Sequence, residues 1–435
     1  MRFNNRFRRS FVAMAAIGGM ATLSACGGGT SKPAVDGKVT DITVVTAKNP
    51  WSDGIKSHLA EYKKLTGVTV KLETYGNEQL NDQYKVKLNA SASDFDVMAF
   101  QVQDVMREFS RNGWLTDMTK YVGSAGDWNW NDFQKSARDS VTLDKVIYGV
   151  PLMTERHVMY YRKDLLKAAG IAVPKTLDEL KAAAAKLHNP AKKMTGIAMR
   201  GQRVPAVTQF SSFLYSFGGD FQKNDTATID TPEAIAAYNF YGNLLRESGP
   251  PGSTNMGWIE ASALFAQGKA AFYLDADSQA YTFLDPKSSA VVDTVAYAPF
   301  PAGPAGAHPY SIVPWTAGIN KFSEKKDAAW AFIKWATSDK QFVSLMAKDT
   351  VPSPRNSSWA NKTATGGFPA GLVANVKATA TTAVGHDRPQ LEQVARSREI
   401  VGGPIVAAIQ GGDVKAAIKE AQLRFQDLLK QDSAK

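Results

Sequence analysis

A two-lobed α/β protein is what this chain predicts, and three observations carry the prediction. β-rich runs and helical spacings alternate through residues 42–100, a second such series follows Pro151, and 410 of the 435 residues remain once an amino-terminal leader is set aside. That length exceeds what one hydrophobic core usually serves. Residues 42–47 form the first β-rich run. Ile55, Leu59, Tyr62 and Leu65 then recur at helical spacing, with Gly67 as the carboxyl-terminal cap. Residues 68–75 alternate as a second strand, 78–91 read as a helix and 96–100 as a third strand. Strand, helix, strand, helix, strand in so short a span indicates a parallel sheet with covering helices.

In the second series Thr176-Leu177-Asp178-Glu179 is a capping box. Thr231-Pro232-Glu233 puts proline at the first helical position, where its missing N–H costs nothing. Ser338-Asp339-Lys340-Gln341 repeats the capping-box pattern, and Asp413 caps a last helix whose apolar face is Val414, Ile418, Ala421, Phe425 and Leu428. The stretch 299–309, rich in Pro, Gly and Ala, reads as a surface loop. No repeat of solenoid length is visible.

The leader is residues 1–25. Arg2, Arg6, Arg8 and Arg9 precede an apolar run of 13 residues, 11–23. At ~1.5 Å per residue such a helix cannot span ~30 Å of hydrocarbon, so it reads as a cleaved signal rather than an anchor. The run ends in Leu23-Ser24-Ala25-Cys26, which resembles a bacterial lipobox and contains the only cysteine of the chain. That resemblance implies cleavage before Cys26 and a diacylglyceryl group on its sulfur. Two acyl chains at ~0.8 kcal/mol per buried methylene hold a protein on a membrane where one does not. Residues 26–39, opening with three glycines, form the expected flexible tether.

Loss of the four leader arginines takes the formal charge from +10 to +6, and the remaining basic residues form no block. Nucleic-acid binding is therefore disfavoured. With Cys26 lipidated, disulfides and thiolate metal sites are excluded. The five histidines are at least 31 residues apart, so no local zinc pair exists. Walker A, dinucleotide and Gly-x-Ser-x-Gly signatures are missing. A pair of distant carboxylates, as in a glycosidase, leaves no such local signature.

Residues 148–151, Tyr-Gly-Val-Pro, and 158–166, Val-Met-Tyr-Tyr-Arg-Lys-Asp-Leu-Leu, resemble the signature of family 1 bacterial extracellular solute-binding proteins. Gly257-Trp258, the run 263–272, Ala317-Gly318-Ile319-Asn320 and the run 328–335 follow in family order. Arg162 and Met153 depart from the usual residues. The resemblance implies a periplasmic-binding-protein-like fold, with two α/β lobes joined by hinge crossings around a ligand cleft. By position, the crossings fall at 158–161, 272–277 and 315–320. Lobe one then combines 40–157 with 272–316, and lobe two combines 158–271 with 317–435.

The implied function is an extracytoplasmic, lipid-anchored receptor. It captures a sugar or sugar alcohol for an ABC permease, as a monomer, without cofactor, metal or chemistry of its own. A secreted glycan hydrolase and a two-lobed receptor for a non-sugar solute are the alternatives.

A sugar site needs polar groups for hydroxyls and aromatic planes for C–H faces. Trp51 and Asp53 follow the first strand, at the carboxyl edge where α/β sheets bind ligands. Trp51 is a stacking residue or lobe packing, and Asp53 a ligand contact or a helix cap. Gln101, Gln103 and Asp104 follow the third strand, Gln103 and Asp104 being the pocket candidates, with Asp104 alternatively a cap. Arg200 and Arg203 follow a short strand of lobe two, where the family places pocket groups. Asp275 and Asp277 lie on an implied crossing; alternation puts them on one side, to chelate hydroxyls or to form a hinge salt bridge. Trp258 and Trp315 are candidate stacking planes, and Arg355 lies in a loop resembling one that reaches the family's cleft. His386, Asp387 and Arg388 read as surface or turn residues.

Overall fold

In this computed structural model, residues 39–379 and 381–434 are described. The leader, Cys26 and the tether up to residue 38 lie outside them. The strands of the two main sheets are, in chain order, β1 Asp41–Ala47, β2 Thr69–Tyr75, β3 Val97–Phe100, β4 Val150–Pro151 and β5 Glu155–Arg162. They continue as β6 Thr195–Ala198, β7 Ala270–Ala276, β8 Val295–Pro299, β9 Ser311–Ile312 and β10 Thr316–Ile319.

The first sheet runs β2-β1-β3-β10-β4. β1 is parallel to β2 and β3, whereas β10 lies antiparallel to β3 and β4. The helix Asn77–Asn89 is tied down by Tyr84, whose hydroxyl reaches the carbonyls of Val45 and Ala99 at 2.8 and 3.0 Å. The helix expected between the first two strands is broken at His58 into Pro50–Lys56 and Leu59–Thr66. Gly67 does cap it in the left-handed region, φ 79°.

The second sheet runs β8-β5-β7-β6, with β9 pairing β5. Thr176 forms its full capping box with Glu179, and Thr231 caps the helix Pro232–Ser248. Asp413 caps Val414–Ser433, which buries Ile418, Ala421, Phe425 and Leu428. At Ser338 only half of the expected box forms, because the Gln341 side chain is engaged by His58 and Glu61 instead. The loop after β8 is pinned by Ala302, paired with the Thr176 backbone, and by the Ala305 N–H on the Ser216 carbonyl.

Strand pairing corrects the expected lobe boundaries. β7 pairs β5 and β6, so residues 272–312 belong to lobe two rather than lobe one. Conversely β10 and the helices Lys326–Ala336 and Asp339–Asp349 pack on the first core through Ile319, Ile333 and Phe342. The chain passes between the lobes at 152–154 and 313–315 and leaves lobe one again only after Ser357, which still bonds Asp132 there; the expected crossings at 158–161 and 272–277 fall inside lobe two. The first two passages lie side by side, the Leu152 N–H donating to the Trp315 carbonyl at 2.9 Å, and the segment after Val351 runs along them, its Pro352 carbonyl accepting from the Thr154 N–H at 3.0 Å. Both lobes belong to one compact body.

Candidate functional site

A cleft of about 420 Å³ lies between the lobes, at the carboxyl ends of β1, β3, β6 and β7. Lobe one contributes Lys48, Asn49, Gln101, Gln103 and Asp104; lobe two contributes Glu155, Arg200, Trp258, Gln279, Tyr281, Arg388 and Arg398. Trp315, on a passage between the lobes, closes the back. A groove of about 640 Å³ between His188, Thr195, Leu245 and Lys269 involves lobe two alone; grooves of about 340 and 640 Å³ lie between Gln103 and His386 and between Arg111 and Arg396, and the cleft differs from them in being faced by strand ends of both sheets.

Arg200 is built into the cleft floor. Gly201 follows it at a place where a Cβ would stand 2.3 Å from the Ser253 carbonyl oxygen, so only glycine lets the turn pass. Behind Arg200, Asp275 is fully buried and accepts two parallel bonds from it, Nε to Oδ2 at 2.9 Å and Nη2 to Oδ1 at 2.5 Å. The Gln209 amide and Tyr273 hydroxyl donate to the same carboxylate at 2.8 and 2.9 Å. Burial works against the Asp275 charge, but the guanidinium outweighs it and holds the carboxyl below its ordinary range. Among the described residues Arg200 Nη1 has no partner, so one donor edge faces the cleft unused.

At the rim the lobes touch through ions. Arg388 bonds the carboxylates of its neighbour Asp387 and of Asp104 in lobe one, and Arg111 pairs Glu392 at 2.7 Å. Burial disfavours the Arg388 charge, but Asp104 and Asp387 hold it protonated above its ordinary range. Arg398, crowded by burial and then by Arg388, is brought down to about 10.

Of the residues expected at the site, the structure brings together Gln103, Asp104, Arg200, Trp258 and Trp315. Others stand apart from it. Trp51 is wholly enclosed in the first core, and Asp53 sits exposed in the first turn of a helix already capped by Asn49 and Ser52. Arg203 is exposed beside Glu399 at 3.9 Å. Asp275 and Asp277 do not line the cleft. The chain leaves the strand after Ala276, and Asp277 accepts from the Arg156 backbone N–H at 3.0 Å and from its guanidinium at 3.3 Å. Arg355 is buried in lobe one, bonding the Thr337, Asn129 and Trp128 carbonyls and Asp132.

Asp387 and Arg388 are the converse case. Expected at the surface, they are 0% and 6% exposed and reach the cleft. Glu155, Gln279, Tyr281 and Arg398 carried no local signal; they enter the site only because β5, β7 and the segments around residues 281 and 398 converge. Among the described residues no cluster of His, Cys, Asp or Glu is placed to hold a metal, and no helix is long and apolar enough to cross a membrane.

Two sheets with a polar, aromatic-edged cleft at their carboxyl ends define a two-lobed ligand-binding protein. The chain belongs to the bacterial extracellular solute-binding protein family, whose profile matches residues 48–341. The mannitol-binding protein of Pseudomonas aeruginosa is 29% identical over 264 residues, 60% of each chain. The match thus spans less than two thirds of that relative. The erythritol/L-threitol-binding protein of Mycolicibacterium smegmatis is 24% identical over 76% of this chain and 77% of its own. Among solved structures, a ribitol complex of an Agrobacterium radiobacter solute-binding protein superposes with TM-score 0.80 at 28% identity, covering 90% of this chain and 99% of that one. Maltose-bound MalE3 of T. maritima gives 0.79 at 26% identity, covering 89% and 99%.

Proposed function

We propose that this protein captures a sugar or sugar alcohol outside the cytoplasm and delivers it to an ABC permease, performing no chemistry itself. The single observation that carries the reading is Arg200, a partly exposed guanidinium oriented by the buried Asp275 with one donor edge left over, in a cleft edged by Trp258, Tyr281 and Trp315. Hydroxyl-rich ligands need directed donors and acceptors together with planes for their C–H faces. Relatives named for mannitol and for erythritol/L-threitol, and one solved in complex with ribitol, favour the alditols within this class. The lobes would close on the ligand about the passages between them, as in other hinge proteins. Attachment through a lipid on Cys26 would keep the receptor beside its permease.

Thermal-shift measurement against mannitol, ribitol, erythritol and maltose tests the reading. Stabilisation by at least one of them, with the ligand recovered intact, is expected. No shift with any of them, or cleavage of maltose, overturns it.

A further inference from the structure

Glu155 opens β5 immediately after the first passage between the lobes, and its carboxyl lines the cleft. Among the described residues one hydrogen bond holds it, donated by Ser278 Oγ at 2.6 Å. Among the described residues no cation pairs with it: Arg156, its neighbour in β5, is engaged by Asp277, and Arg200 by Asp275. Its surroundings are acidic on the strand side, with Asp275 in β7 and Asp277 just beyond both acting on it; Arg200, following β6, is the opposing charge. Tyr310, ahead of β9, and Tyr281 also feel its charge, and His157 in β5 is kept neutral by burial. Lys48, Asp104, Asp387, Arg388 and Arg398 line the rest of the same space.

We propose that Glu155 meets the bound ligand as a neutral carboxylic acid, donating to a ligand hydroxyl, so that ligand capture takes up a proton. A hydroxyl ligand brings no counter-charge, and it displaces water that would otherwise solvate a carboxylate. The geometry admits the neutral acid: one oxygen accepts from Ser278 and the O–H is free to donate. Before any ligand arrives, burial already pushes the carboxyl up to about 7. Binding therefore favours the protonated form further, and affinity declines as pH rises above neutrality, by at most about tenfold per pH unit for one coupled proton.

This inference rests on the proposed function, and calorimetric titration with mannitol, ribitol and maltose separates the two. With any probe that binds, Kd should be roughly tenfold weaker at pH 8.5 than at pH 6.5. Near pH 7.5 the observed enthalpy should vary with buffer ionisation enthalpy in the sense of proton uptake. Glu155→Gln should abolish both effects, whatever its affinity. Binding with a flat wild-type Kd and no proton uptake overturns the inference alone, and so does a Glu155→Gln protein that keeps the pH dependence. No binding of any probe removes both readings. Should the variant fail to fold, the wild-type buffer series still decides.

Discussion

Arg388 and Asp104, separated by 284 residues in sequence, form an ion pair across the cleft, one partner from each lobe. The pair therefore contributes to how far the lobes stand open. Asp104→Asn should weaken the contact by about 1–2 kcal/mol, raise the radius of gyration of the ligand-free protein in solution scattering, and leave Tm nearly unchanged. Arg388→Ala should also lower Tm, since it strands the buried Asp387 carboxylate. An unchanged scattering profile in both variants would refute the role.

Asp275 supports Arg200 from behind rather than touching ligand. Removing one partner of a buried pair leaves an uncompensated charge, so Asp275→Ala should cost about 3–5 kcal/mol of stability in denaturant unfolding. A stable Asp275→Ala protein with selectively lost affinity would instead restore the sequence-based expectation of direct hydroxyl contact.

The tryptophans should separate cleanly. Trp51 is 0% exposed, and truncation to alanine should destabilise by about 3–5 kcal/mol. Trp258, 36% exposed at the cleft, should lose ligand affinity on truncation with stability changed by no more than about 0.5 kcal/mol. Paired unfolding and binding curves for the two variants check this.

Burial depresses the His157 imidazole from 6.5 to about 3, with its Nδ1 against Ser212 Oγ at 2.7 Å. The unfolded chain takes up this proton first, so stability from the neutral ring is fully present above 6.5 and drains as pH falls towards 3. Glu155, raised to about 7, has the opposite sign: its contribution is present below the ordinary glutamate value and is lost as pH rises through 7. Comparison with His157→Gln isolates the histidine. The stability advantage of wild type over this variant should shrink on acidification below pH 6.5, by up to about 1.4 kcal/mol per pH unit. A constant difference would refute the assignment.

Cys26→Ala should leave ligand affinity unchanged, release the protein from membranes on fractionation, and reduce uptake by cells. Retention of the variant in the membrane fraction would count against the lipid tether.

Periodicity and caps made lobe one readable from β1 to β3, because each of those elements is specified by residues within about a dozen positions of one another. The lobe boundary was not readable, since β7 and β10 differ in partner rather than in pattern: both are short apolar strands, and only pairing assigns them to opposite sheets. Site residues divide in the same way. Gln103, Asp104 and Arg200 follow strand ends and could be found by that rule. Asp275 and Asp277 could not be judged, because the arginines that occupy them, Arg200 and Arg156, lie 75 and 121 residues away. Arg388 looked like an exposed turn for the same reason.

The adjoining passages have a mechanical consequence for the proposed closure. A point near a rotation axis barely travels, and Trp315 and Glu155 stand on or next to the passages about which the lobes would turn. In such a swing these two would keep their mutual placement while the contact between Asp104 and Arg388 opened and closed. A solute would then meet a standing foothold between moving walls.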